Sequence, residues 1–78
     1  MRQRFPIGLI FAKKRFPKAK ETTAYQIDDV YTTRNNAGVI VSIEYVVSHE
    51  FMGQRIQERM VDTTIARSLS NEQLKQYA

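Results

Sequence analysis

The chain has 78 residues, no cysteine, 42% apolar and 26% charged residues, and a formal net charge of +4. A domain this small buries only about 60% of its unfolded surface, and without cysteine it has no disulfide staple, catalytic thiolate or cysteine-based metal site. The composition is that of an ordinary folding domain, and the basic balance points toward a polyanionic partner.

The charge is unevenly placed. Residues 1–20 carry Arg2, Arg4, Lys13, Lys14, Arg15, Lys18 and Lys20 and no acid, a net +7. Residues 21–78 carry five bases, Arg34, Arg55, Arg59, Arg67 and Lys75, against all eight acids, a net −3. The apolar run from Phe5 to Ala12 contains Pro6 and Gly8 and leads into Lys13-Lys14-Arg15. It is far short of the ~20 apolar residues of a membrane span, and its basic downstream flank is the reverse of a secretory cleavage site. No targeting segment and no membrane partner are expected, and the expected compartment is the cytoplasm.

In chain order, a short strand is predicted near Ile7–Ala12. Lys13–Lys20, a basic run interrupted by Pro17, reads as an exposed loop. Thr22–Thr33 is rich in the β-branched and aromatic residues that suit strands. Tyr25, Ile27 and Tyr31 share one parity and Val30 falls on the other, so a bulge is predicted at Asp28-Asp29. Arg34–Gly38 is a turn cluster in which Asn and Gly supply positive φ. Val39, Val41, Ile43, Tyr45 and Val47 then alternate with a mixed set, predicting a half-buried strand and a long hairpin.

Met52-Gly53-Gln54 reads as a second turn, with Arg55–Val61 returning as a third strand. The rival reading is a helix from about Ser48, with Met52, Ile56 and Met60 on one face; Gly53 would cost that helix about 1 kcal/mol. The strand is favoured. Asp62–Ala66 is predicted as a further short strand or a single turn. Ser70 and Gln73 have capping-box spacing, so a short terminal helix is expected over 70–77, docked through Leu74 and Tyr77.

One domain is thus expected over 1–78: a basic segment at 1–20, a β-sheet body at 22–66 and a helix at 70–77. The fold class is mainly β, as a small partly open antiparallel β-barrel with a short C-terminal helix. Gly38-Val39-Ile40-Val41-Ser42-Ile43 is similar to the closing half of a KOW motif, and Asp29-Val30 resembles the acidic–valine pair that opens the preceding strand in such domains. The resemblance to Src-homology-3-like and KOW-like barrels covers about a third of the chain, and the glycine-rich first half of the motif is missing. The compact domain with a basic start also looks like a small bacteriophage or mobile-element protein, which would place it in a host cytoplasm.

Catalysis finds little support. His49-Glu50 lacks the second histidine of a zinc-protease motif, since Gly53 stands at that position. His49 is expected as a strand-edge histidine with ordinary solvation. Asp28 and Asp29 are strand neighbours and point apart, which fits a bulge or a charged sheet edge better than a general acid–base pair or a cation site. No serine lies in a nucleophile elbow, and Gly8, Gly38 and Gly53 are too dispersed for a phosphate loop. No metal, no cofactor and no enzymatic activity are expected.

The feature with most consequence is the basic first quarter, where the cations are interleaved with Phe5, Phe11 and Phe16. Cations neutralise phosphates and exposed aromatics stack on bases. Phe5 and Phe11 fit the core, whereas Phe16, between Arg15 and Pro17, is the aromatic expected to be exposed. The expected function is nucleic-acid binding by an accessory or regulatory factor. Lys13, Lys14, Arg15, Phe16, Lys18 and Lys20 would form the face, with Arg2 and Arg4 as a flanking arm and Arg34 at the hairpin tip. The alternative partner is an acidic host protein, or the chain is a subunit of a virion or complex. Ile40 and Val46, apolar on the expected outer face, admit burial under the terminal helix or a homodimer contact.

Overall fold

The computed structural model describes residues 2–77. Four strands follow one another as an antiparallel meander, β1 (Ile10–Lys13), β2 (Thr23–Arg34), β3 (Ile40–Phe51) and β4 (Gln54–Val61), and each pairs with its sequence neighbour. Two short helices close the chain, α1 (Asp62–Ser68) and α2 (Asn71–Gln76). The architecture is mainly β with helices at the C-terminal end, and the sheet is open, with β1 and β4 at its two edges.

The turn residues set the hairpins. Asn35 Oδ1 accepts from the backbone N–H of Ala37 at 2.9 Å and of Val39 at 3.1 Å, and Gly38 takes φ +80°. This is the Asx geometry expected of an Asn-rich turn. The β3–β4 turn is tighter: Phe51 pairs with Gln54, and Met52 (φ +51°) and Gly53 (φ +78°) both have positive φ. Two positive φ values in a two-residue loop match the strand twist, which decides strand over helix for residues 54–61.

The predicted bulge is present. Ile27 pairs with Val47 and Asp29 with Val46, leaving Asp28 as the extra residue. The slip carries Val30 onto the core face, opposite Tyr45, and sends Tyr31 to the outer face, opposite Glu44. A second irregularity between Thr33 and Arg34 leaves Val41 out of register. Val39 and Val41, predicted on the buried face, are therefore exposed at 54% and 50%, while Ile40 packs against the core. β4 reaches β3 only from Glu44 onward, so the hairpin tip projects beyond the part of the sheet that β4 flanks.

One sheet face is covered. Tyr25, Ile27, Ile43, Tyr45, Val47 and Met60 meet Phe5, Leu9 and Phe11 from the N-terminal segment and Ile65 and Leu69 from the helical end. The first segment turns at Pro6–Leu9, where Leu9 N–H donates to Pro6 O at 3.2 Å, and β1 begins later than predicted. Arg4 pairs with Asp62, and its Nε–H donates to Asp62 Oδ2 at 3.2 Å. The Tyr45 hydroxyl accepts from the N–H groups of Arg4 at 3.3 Å and Phe5 at 3.5 Å. It also donates to Asp62 at 3.4 Å. This cluster ties the chain start to β3 and to the first residue of α1.

Residues 62–66 are helical, not a strand or an isolated turn. Thr63 and Thr64 favour a strand locally, but Ile65 and Leu69 are four apart and both buried, so helical spacing lets one face enter the core. Asp62 in the first turn and Arg67 in the last complement the helix dipole. The capping box between Ser70 and Gln73 opens α2 as predicted. Leu74 and Tyr77 dock it, Tyr77 standing edge-on to Phe5 at 5.9 Å between ring centres.

Candidate nucleic-acid interface

The core-side residues of β3 continue from Val47 through His49 to Phe51, past the reach of the helices. There the sheet is covered by the basic loop itself, which leaves β1 at Lys13 and returns at Thr23 opposite it. Ala19 N–H donates to Phe16 O at 3.0 Å and closes a turn around Pro17. Arg15 reaches back over the strand: its Nε–H donates to His49 Nε2 at 3.0 Å, and its guanidinium carbon lies 3.6 Å from the Phe51 ring centre.

His49 corrects the expectation of a solvated strand-edge histidine. It is 2% exposed, and its ring lies 4.5 Å from that of Tyr25. The guanidinium can only donate, so Nε2 accepts and the ring proton sits on Nδ1. Nδ1 is buried without a partner. The histidine is thus a buried post that holds Arg15 by one edge, while stacking on Phe51 holds the guanidinium plane. The bond to His49 uses only the Nε–H of Arg15, so the donors of its two terminal nitrogens are not spent on it. Arginine stacked in this way is pre-organised, and less entropy is lost on forming each further hydrogen bond.

Lys13, Lys14, Arg15, Lys18 and Lys20 enter no ion pair among the described residues, where Arg4 joins Asp62, Arg55 joins Glu50 and Arg59 joins Glu44. Lys13 lies 5.6 Å from the Tyr25 ring centre and donates to Lys14 O at 3.1 Å. Phe16 is 56% exposed, as expected, whereas Phe5 and Phe11 are core residues. Between the loop and the end of β3 runs an open groove of about 410 Å³, lined by Arg15, Phe16, Lys20, Glu21, Thr23 and Phe51.

The remaining site candidates lie elsewhere. Arg34 is at the far end of β3, where its Nη1 donates to Gly38 O at 2.7 Å. Eleven strand steps separate Ile40 from Phe51, roughly 35 Å at strand rise. Arg2 is exposed, and Arg4 is held by Asp62 near the middle of the sheet rather than forming a free arm with it. That carboxylate, chiefly through its hydrogen bond, raises the Arg4 pKa above its ordinary value. Of the six candidates in 13–20 the groove takes Arg15, Phe16 and Lys20; Lys13, Lys14 and Lys18 stand on the same segment outside its lining, and Arg2, Arg4 and Arg34 lie elsewhere.

Two residues that the sequence reading assigned to structural roles complete the site, His49 and Phe51. Their signal was parity: both continue the buried face of Tyr45 and Val47, at a point where the basic loop has to return to the sheet. The opposite sheet face is self-satisfied. Arg55 donates to Ser48 Oγ at 3.0 Å and to Gln26 Oε1 at 3.3 Å. Arg59 lies 4.7 Å from the Tyr31 ring centre, and Gln57 donates to Asp28 Oδ2 at 3.1 Å. Among the described residues no three His, Asp or Glu side chains gather as metal ligands, and no helix is long and apolar enough to cross a membrane. Compared with known families, characterised proteins and solved structures, the chain matches none.

Proposed function

We propose that this protein is a non-catalytic binding module that holds nucleic acid through the loop Lys13–Lys20. The observation that carries this reading is five cations within eight residues, none in an ion pair among the described residues, beside exposed Phe16 and Phe51. Unneutralised cations on a loop release condensed counterions when they meet phosphates, and the neighbouring rings offer stacking surfaces. An accessory or regulatory role of phage type, in a host cytoplasm, belongs to the same proposal and rests on the basic start. Kinship with the partly open Src-homology-3-like and KOW-like barrels is part of it too. It is supported by the order of strand, basic loop, long hairpin and return strand, and by Gly38 before β3.

The test is binding of labelled DNA and RNA across a salt series. Affinity should fall steeply with salt. Changing Lys13, Lys14, Arg15 and Lys18 together to alanine should lower the slope of log K against log salt by about one per phosphate contact removed. Unchanged affinity at low salt in that variant overturns the proposal.

An acidic protein surface is the second reading. The specific observation for it is β4, an eight-residue edge strand whose outer side is available for strand addition. A partner retained from lysate after nuclease treatment, and lost when the four cations are removed, would favour it.

A further inference from the structure

We propose that the groove between the basic loop and the end of β3 holds one unpaired base of a single-stranded nucleic acid and prefers a base with an exocyclic amino group, such as cytosine. This rests on the nucleic-acid reading above and adds to it the strand state and the base. At about 410 Å³ the groove falls within the roughly 300–1,000 Å³ of small-ligand sites.

Its walls are aromatic. Phe16 is 56% and Phe51 41% exposed, and the Arg15 guanidinium, its carbon 3.6 Å over the Phe51 ring centre, offers a further planar group for stacking. A base within a duplex has both faces covered by its neighbours, so such walls serve a base that is unstacked. The helices offer no rival mode: α1 has seven residues and α2 six, and Ile65, Leu69, Leu74 and Tyr77 commit them to the core. Neither is free to lie in a major groove.

The polar lining selects further. Lys20 and Arg15 line the groove beside Lys14 and Lys18, which are exposed on the same loop, and these cations suit the flanking phosphates. Glu21 is the one carboxylate of the lining, to which Thr23 also belongs. A carboxylate repels phosphate but accepts from the N4 amino group of cytosine. Uracil presents O4 at that position, lone pair against lone pair.

The test is fluorescence anisotropy at low salt and neutral pH, with strands of about 15 nucleotides. The strands are oligodeoxycytidine, oligodeoxyuridine, an abasic strand with the same phosphates, and a duplex of the same length. Oligodeoxycytidine should bind tightest, and loss of the bases should weaken binding roughly 5- to 150-fold. Oligodeoxyuridine should bind roughly fivefold more weakly or worse, a ratio that Glu21→Gln should erase. Phe16→Ala, at an exposed position, should lower affinity for oligodeoxycytidine and leave that for the abasic strand unchanged. Phe51→Ala, which also removes the ring under Arg15, should lower affinity for both strands, and more for oligodeoxycytidine than for the abasic strand, with its fold checked by circular dichroism. Equal affinity for the cytidine, uridine and abasic strands, or for the duplex, overturns the inference while the backbone-binding reading stands. Absence of binding to all four overturns both.

Discussion

His49 is where the energetics of this small domain and its proposed site meet, and the effect of replacing it can be worked through. His49→Leu keeps apolar bulk beside Tyr25 and removes both ring nitrogens. The bond from Arg15 is lost; hydrogen bonds to charged groups contribute about 1.5–3 kcal/mol, and partial exposure of Arg15 puts this one at the low end. The orphaned Nδ1–H is lost as well, and a buried unsatisfied donor costs about 1–3 kcal/mol. The two effects oppose each other, so His49→Leu should change stability by no more than about 1 kcal/mol. His49→Ala also opens a cavity under the loop and should cost about 2–4 kcal/mol. That is a large share of the roughly 4–12 kcal/mol expected of a domain of this size. Urea unfolding followed by circular dichroism gives both values, provided the m-values agree. If His49→Leu is as damaging as His49→Ala, the cancellation is wrong and the Arg15 bond is a net stabiliser. In the binding assay His49→Leu should still weaken nucleic-acid affinity, because Arg15 loses its post.

Two further predictions concern the cluster at the chain start and the buried phenols. Tyr45→Phe leaves the backbone N–H groups of Arg4 and Phe5 without their acceptor, and should cost about 1–3 kcal/mol in the same urea assay. A loss below a few tenths of a kcal/mol would show that water or Asp62 takes over. Burial first of all raises the pKa of Tyr25 and of Tyr45. Both groups therefore favour folding fully below the unfolded tyrosine value of about 10, and that contribution is lost as pH rises through their higher folded values. The urea midpoint should accordingly fall on the alkaline side, above pH ~10, at constant ionic strength. A midpoint flat to pH ~11 would contradict the burial argument, and in Tyr45→Phe the alkaline decline should be shallower.

Much of the sheet is legible in the sequence. The phase change between Ile27 and Val30 placed a bulge at Asp28-Asp29, because side chains alternate faces and an inserted residue shifts the alternation; the pairing makes Asp28 the extra residue. The Asn35–Gly38 turn, the return strand after Gly53 and the Ser70–Gln73 cap follow from local backbone chemistry. The segment after β4 was not legible in the same way. Thr63 and Thr64 speak for a strand, and only a core that needed Ile65 and Leu69 on one face made it a helix. Nor did alternation survive the irregularity between Thr33 and Arg34: Val39 and Val41 repeat the parity of Ile43, but after the slip Ile40 packs against the core in their place.

For the site, the sequence by itself determined the concentration of cations in the first quarter and the exposure of Phe16, since charge and a proline-flanked loop are local properties. The tertiary structure decided which of those cations stand together. It gave Arg4 to Asp62, left Arg34 at the opposite end of the hairpin, and folded the loop so that His49 and Phe51 fix Arg15 beside Phe16. A histidine 34 residues away in sequence becomes the anchor of the loop because both lie on the core-side face at the same end of the sheet. Pairing register sets that juxtaposition, and composition cannot.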